Sequence, residues 1–205
     1  MPAKEEETVK RRLSGLVFLA TLVLPCLAFG GAPLDTVKAG VAGVLDVLRD
    51  PKLQGESGRK VKEQRIEAAA DKLFDFVELS KRTLGVNWNK LTMDQRKEFV
   101  QLYKTVLKTA YVNRIMDYRN EEVDFTKEVP LSDTTAEVQS RVAEKSTSVS
   151  IDYRVIKEDS GWKVYDVVIE GVSLISNYRT QFREILGGNP PEKLLEVLRK
   201  KTGAQ

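Results

Sequence analysis

One carboxylate stands out. Asp166 sits inside Trp162–Glu170, a run made mostly of apolar and aromatic residues. A carboxylate among apolar neighbours is the arrangement by which acid–base enzymes raise a side-chain pKa and move protons at neutral pH. The same residue, read structurally, is a buried carboxylate satisfied by a cation, with Arg154 or Arg179 as its partner. Glu170, at the end of the run, suits a contact at the start of the next helix better than catalysis. The rest of the chemistry is bounded by what is missing. The chain has no histidine, and so lacks the commonest general base and the commonest metal ligand. Its single cysteine, Cys26, cannot form an intrachain disulfide or a cysteine-ligated metal site within one chain. Serines abound, but a conventional triad cannot be assembled without histidine. Phosphate-binding glycine motifs and zinc spacings are absent. No catalytic residue, metal or cofactor is expected.

The elements that must position Asp166 lie in Ser148–Phe182. Val149, Ile151, Tyr153 and Val155 alternate with Ser150, Asp152, Arg154 and Ile156, the period of a half-buried strand. Glu158–Gly161 supplies turn residues, and Trp162–Glu170 returns as a second strand, dense enough in β-branched and aromatic residues to bury both faces. Gly171 breaks that strand. An amphipathic helix follows, carrying Leu174, Tyr178, Phe182, Ile185 and Leu186 on one stripe.

Pro33–Leu48 reads as a short helix ended by Asp50-Pro51, with a polar loop over Lys52–Gly58. A charged helix runs from Arg59 to about Leu73 and continues or kinks into Phe74–Leu84; Gly85-Val86-Asn87 breaks the chain. Thr92 and Gln95 form a capping box that opens the longest helix, about Met93–Tyr118. Its apolar stripe is Phe99, Leu102, Tyr103, Val106, Leu107, Ala110, Tyr111 and Ile115. Strands are predicted over Val123–Val129, Ala136–Glu144, Thr147–Lys157 and Trp162–Glu170. A last helix opens with Asn189 as cap and proline at its first position, docked by Leu194, Leu195 and Leu198. Helices followed by closely spaced strands predict an α+β fold, with helices on one face of a four-stranded antiparallel sheet.

At 205 residues, one domain with a sizeable core is expected. Residues 1–30 read as a signal peptide: Lys10–Arg12 form a basic flank, Leu13–Phe29 carries no charge, and cleavage falls after Gly30. A retained anchor is the rival reading. The leader holds four of the 33 basic and three of the 30 acidic residues, leaving 29 and 27 in the domain 31–205. That balance predicts no strong electrostatic partner and no nucleic acid. A monomer is expected.

Two long patterns carry a family resemblance. GWKVYDVVIEGVSLISNYRTQF (161–182) is one; FDFVELSKRTLG (74–85), Trp88 and LTMDQRKEFVQLYKTVLKTAY (91–111) form the other. Together they resemble the MlaC-like periplasmic phospholipid-binding proteins, the lipid shuttle of the system that maintains outer-membrane lipid asymmetry. That family is also known as toluene-tolerance or ABC-transporter auxiliary components. The resemblance runs from about Pro33 to about Leu198, and one branch of the family serves hopanoid transport. It implies a nuclear-transport-factor-like cone with extra helices, holding a phospholipid with its acyl tails between helices and sheet. By that reading Phe99, Leu102, Tyr103, Val106, Ala110, Tyr153, Val155, Val167, Ile169, Leu174 and Tyr178 line the cavity. The faces of Trp162–Glu170 are hard to tell apart, so Val164 and Val168 could replace Val167 and Ile169. Arg114 could meet a lipid phosphate, or be an arginine whose stem packs while its head reaches water. The implied partners are an inner-membrane ABC-transporter complex with a hexameric lipid-binding ring and an outer-membrane lipoprotein–porin complex. The resemblance makes the chain a carrier and not an enzyme; a cone-fold enzyme using Asp166 and a transporter adaptor are the alternatives.

Overall fold

The computed structural model describes residues 32–118, 121–144 and 147–204. The expected signal peptide and its cleavage point lie outside the described residues. Pro33 at the first helical turn opens α1 (Pro33–Arg49), where the missing N–H costs nothing. Asp50 ends it and caps a short 3-10 turn (Pro51–Leu53), accepting from the Lys52 N–H at 2.9 Å. The next helix, α2 (Glu56–Leu73), begins three residues before the expected Arg59. It does not continue into α3 (Phe76–Leu84), because Phe74 and Asp75 are extended. The Asp75 carboxylate accepts from Val77 N and Glu78 N, both at 2.9 Å, and its own N–H donates to the Val164 carbonyl. The break is thus a cap and a sheet contact at once. The capping box forms as read: Thr92 and Gln95 exchange hydrogen bonds at 2.9 and 3.2 Å to open α4 (Met93–Met116).

The sheet is a meander of β1 (Glu122–Ser132), β2 (Thr135–Glu144), β3 (Thr147–Glu158), β4 (Gly161–Ile169) and β5 (Val172–Ser173), antiparallel throughout. The fifth strand was not expected. It exists because Glu170 and Gly171 both take positive φ, 49° and 78°, and so make a two-residue hairpin turn. Glu170 is held there by β3: its N–H donates to the Ser150 carbonyl at 3.0 Å, and its carboxylate accepts from Ser150 N.

A bulge decides which residues of β4 face the helices. Tyr153 pairs with Val167 and Ile151 with Ile169, whereas Val155 pairs with Val164, so Tyr165 is the extra residue. Val164, Val167 and Ile169 therefore share the face of Tyr153 and Val155. Asp166, opposite Arg154, and Val168, opposite Asp152, share the other. Neither simple alternation of the strand reproduces this set. The helices α5 (Leu174–Leu186) and α6 (Pro191–Thr202) complete the fold; α1 lies across β1, β2 and β4, while α4 packs on α6 and α3. Asn189 does not cap α6. Pro191 is its first residue, so Pro190 takes the cap position, and the Asn189 side chain donates to Ile185 O at 2.8 Å.

Two helical glycines should respond oppositely to alanine. A Cβ on buried Gly58 would lie 2.4 Å from the Leu53 carbonyl oxygen, and backbone cannot give way cheaply. Gly58→Ala should lower stability by about 1–3 kcal/mol, the overpacking range, despite its better helix propensity. Gly43 meets nothing within 4 Å, so Gly43→Ala should raise stability by about 0.5–1 kcal/mol in a denaturant titration.

Candidate functional site

The apolar stripe of α4 meets that of α5 in a cluster of four rings. Tyr103 lies 5.1 Å from both Tyr178 and Phe182 between ring centroids, and Phe99 lies 5.6 Å from Tyr103 and Phe182. Edge-on and tilted geometries prevail, as the ring quadrupole favours. Val106 and Leu102 extend this layer along α4, and Val138, Val155, Val164 and Val167 meet it from the sheet. The phenols of buried Tyr103 and Tyr178 and of half-buried Tyr153 stay neutral, each raised by burial. Burial pushes the Tyr103 hydroxyl far above its usual range, although Thr83 Oγ1, 3.4 Å away, opposes the shift. Tyr153 is pushed up to about 12 by burial, against a hydrogen bond with Ser140. The layer is therefore uncharged. It can hold apolar matter.

Most of the expected lining residues come together here. Phe99, Leu102, Tyr103, Val106, Val155, Val167, Leu174 and Tyr178 are buried in one core cluster, with Tyr153 and Ile169 half-buried against it. Ala110 does not join them: it is exposed, and half-buried Tyr111 continues the layer instead. Phe182 and Val138 were missed. Phe182 was legible as the residue one turn beyond Tyr178; Val138 became so only through its pairing with Tyr153. Arg114 is exposed on α4.

Asp166 stands behind this layer, on the opposite face of β4. It is 1% exposed. One carboxylate oxygen accepts from Ser173 Oγ at 2.6 Å and Arg154 Nη1 at 3.3 Å; the other accepts from Ile175 N at 3.1 Å. Arg154 also pairs with Glu137 at 3.0 Å. The partner is thus Arg154 and not Arg179, whose Nη2 donates to the Arg82 carbonyl at 2.7 Å. A carboxylate so engaged holds the start of α5 onto the sheet.

The MlaC protein family model matches residues 38–200. The chain belongs to that family. Among solved structures, it is similar to a phospholipid-binding protein from Ralstonia solanacearum, determined in complex with a phospholipid. The two are 27% identical with a TM-score of 0.75, over 84% of this chain and 98% of the other. No curated protein sequence matches the chain at a significant level.

In this MlaC-family chain, two pockets flank the ring layer, and none of the expected lining residues borders either. One, of about 320 Å³, lies between α3 and α5. The other, of about 620 Å³, is an open groove where Asp75, stacked Phe74 and Phe76, Lys104 and Glu158 meet. There the Glu158 carboxyl faces that of Asp75. That contact, burial and the Asp75 charge push its pKa from 4.5 up to about 7, against the pull of Lys163.

Two consequences are measurable. Asp166→Asn removes the charge facing Arg154 while keeping the side chain's shape. It should lower stability by about 1–3 kcal/mol, the cost of unsettling buried hydrogen bonds, as read by chemical denaturation. Folded Glu158 holds its proton more tightly than in the unfolded chain. Its stabilising contribution is therefore full below about pH 4.5 and is lost as pH rises through about 7. Comparing melting curves across that window, Glu158→Gln should flatten the decline.

Proposed function

We propose that this chain is an exported lipid-transfer protein that carries a phospholipid between inner- and outer-membrane complexes of the Mla type. One observation carries the reading: the uncharged layer between α4, α5 and the sheet, in a fold shared with a relative that holds a phospholipid. The lining is Phe99, Leu102, Tyr103, Val106, Tyr153, Val155, Val167, Ile169, Leu174 and Tyr178, joined by Phe182. These side chains pack against one another, so tails enter by parting the α4 and α5 rings.

Magnitudes explain why a carrier is needed. Two acyl tails carry roughly 30 methylenes, worth about 24 kcal/mol against water at about 0.8 each. A lipid does not cross an aqueous compartment unaided on a useful timescale. Against a bilayer the same tails gain almost nothing in a protein cavity, so loading and unloading fall to membrane-anchored partners. Carriage needs burial and shape, without bond chemistry. Among the described residues no helix is long and apolar enough to cross a membrane. Export is supported by the basic Lys10–Arg12 and the uncharged Leu13–Phe29.

The test is mass spectrometry of organic extracts from purified wild type and Val106→Trp. Val106 is 3% exposed in the layer, so the indole takes up space that tails would use. Wild type should release phospholipid. The variant should release less and lose about 1–3 kcal/mol of stability, the cost of overpacking. Wild type without lipid would defeat the carrier reading; equal lipid in both would move the tails away from Val106.

A further inference from the structure

The 320 Å³ cleft between the end of α3 and the second half of α5 is chemically lopsided. Arg179, Arg183 and Asn87 line it beside Leu84, Phe182 and Leu186, and no carboxylate does. Arg179 and Arg183 stand one turn apart on α5, where like charges repel. The two are held differently. Arg179 is fixed by its bond to the Arg82 carbonyl, at the negative end of α3's dipole. Arg183 has no hydrogen-bond or salt-bridge partner among the described residues. Phe182 and Leu186 share that face of α5 with the two arginines, Thr83–Asn87 form the facing wall, and the Phe182 ring also packs on Tyr103 and Phe99 in the layer behind. Two unneutralised guanidiniums on one rim suit a tetrahedral oxyanion, which their planar forks grip bidentately.

We infer that this cleft binds a phosphoryl group joined to an apolar stem, with Arg179 and Arg183 as its ligands. A water takes about 30 Å³, so a cleft of about 320 Å³ holds a headgroup and a few methylenes, not two full tails. The phosphoryl group comes either from a lipid headgroup or from free phosphate. The lipid source rests on the carrier reading; the anion site does not.

The experiment is an amide NMR titration of the delipidated chain, watching Gly85–Asn87, with three probes: inorganic phosphate, dihexanoylphosphatidic acid and uncharged octyl glucoside. The short-chain phosphatidic acid should shift these amides saturably, octyl glucoside should not, and Arg183→Gln should weaken binding by about tenfold, one charge-assisted hydrogen bond. Arg183 is exposed and unpartnered, so the variant should melt as wild type does. Equal binding of inorganic phosphate supports the site and assigns it to free phosphate; binding of the lipid probe alone assigns it to a headgroup. No saturable shift with either anion, or unchanged affinity in Arg183→Gln, overturns the inference. A wild-type protein that purifies without lipid would defeat the carrier reading and leave this titration standing.

Discussion

A charge buried to 1% exposure must be satisfied completely, and Asp166 is satisfied by three different elements. Ser173 belongs to β5, Ile175 to the first turn of α5, and Arg154 to β3. Together they fix where α5 starts and which way it leaves the sheet. The buried Ile175 N–H in the first turn would otherwise lack an acceptor, so a carboxylate at this helix start lowers the energy twice, by hydrogen bond and by dipole. With the start of α5 fixed, Tyr178 and Phe182 have one direction to face, and that is the α4 stripe.

The consequence for binding is a layer with no charge in it. Its phenols are held neutral by burial, the Thr83 and Ser140 hydroxyls beside it donate to the Leu79 and Ile151 carbonyls, and the Asp166 carboxylate is turned to the far side of β4. Such a layer discriminates poorly among apolar guests but excludes ions well, which suits a lipid tail. Charged side chains stand at the rims, where Arg179 and Arg183 border one pocket and Asp75, Glu158 and Lys104 the other.

The break between α2 and α3 does for the sheet edge what Asp166 does for the α5 end. Asp75 caps one helix while its backbone hydrogen-bonds Val164, so the helical layer is stitched to β4 at both ends. The rings of α4 and α5 lie between these two stitches and are themselves joined only by side-chain packing. Packing contacts are weak singly and part more readily than backbone hydrogen bonds to a buried carboxylate.

Much of this was legible in the residues. Helical stripes, the Thr92–Gln95 box and strand alternation are local signals, and the chain read alone placed α1, α4, the meander of the α+β fold and most of the residues that share the buried ring layer. The resemblance over about Pro33 to Leu198 became a family match over 38–200. What was not legible depended on long-range pairing. The bulge at Tyr165 changes the facing of half of β4, and it is defined only against Arg154 and Val155 on the neighbouring strand. The extra strand β5 needs Glu170 in a positive-φ conformation that β3 holds in place through Ser150. The choice of Arg154 over Arg179 as partner for Asp166, and the turning of Ala110 to solvent, were likewise decided by packing. Periodicity states that a residue has an apolar side; only the tertiary structure states what that side meets, because burial is a property of neighbours distant in the chain.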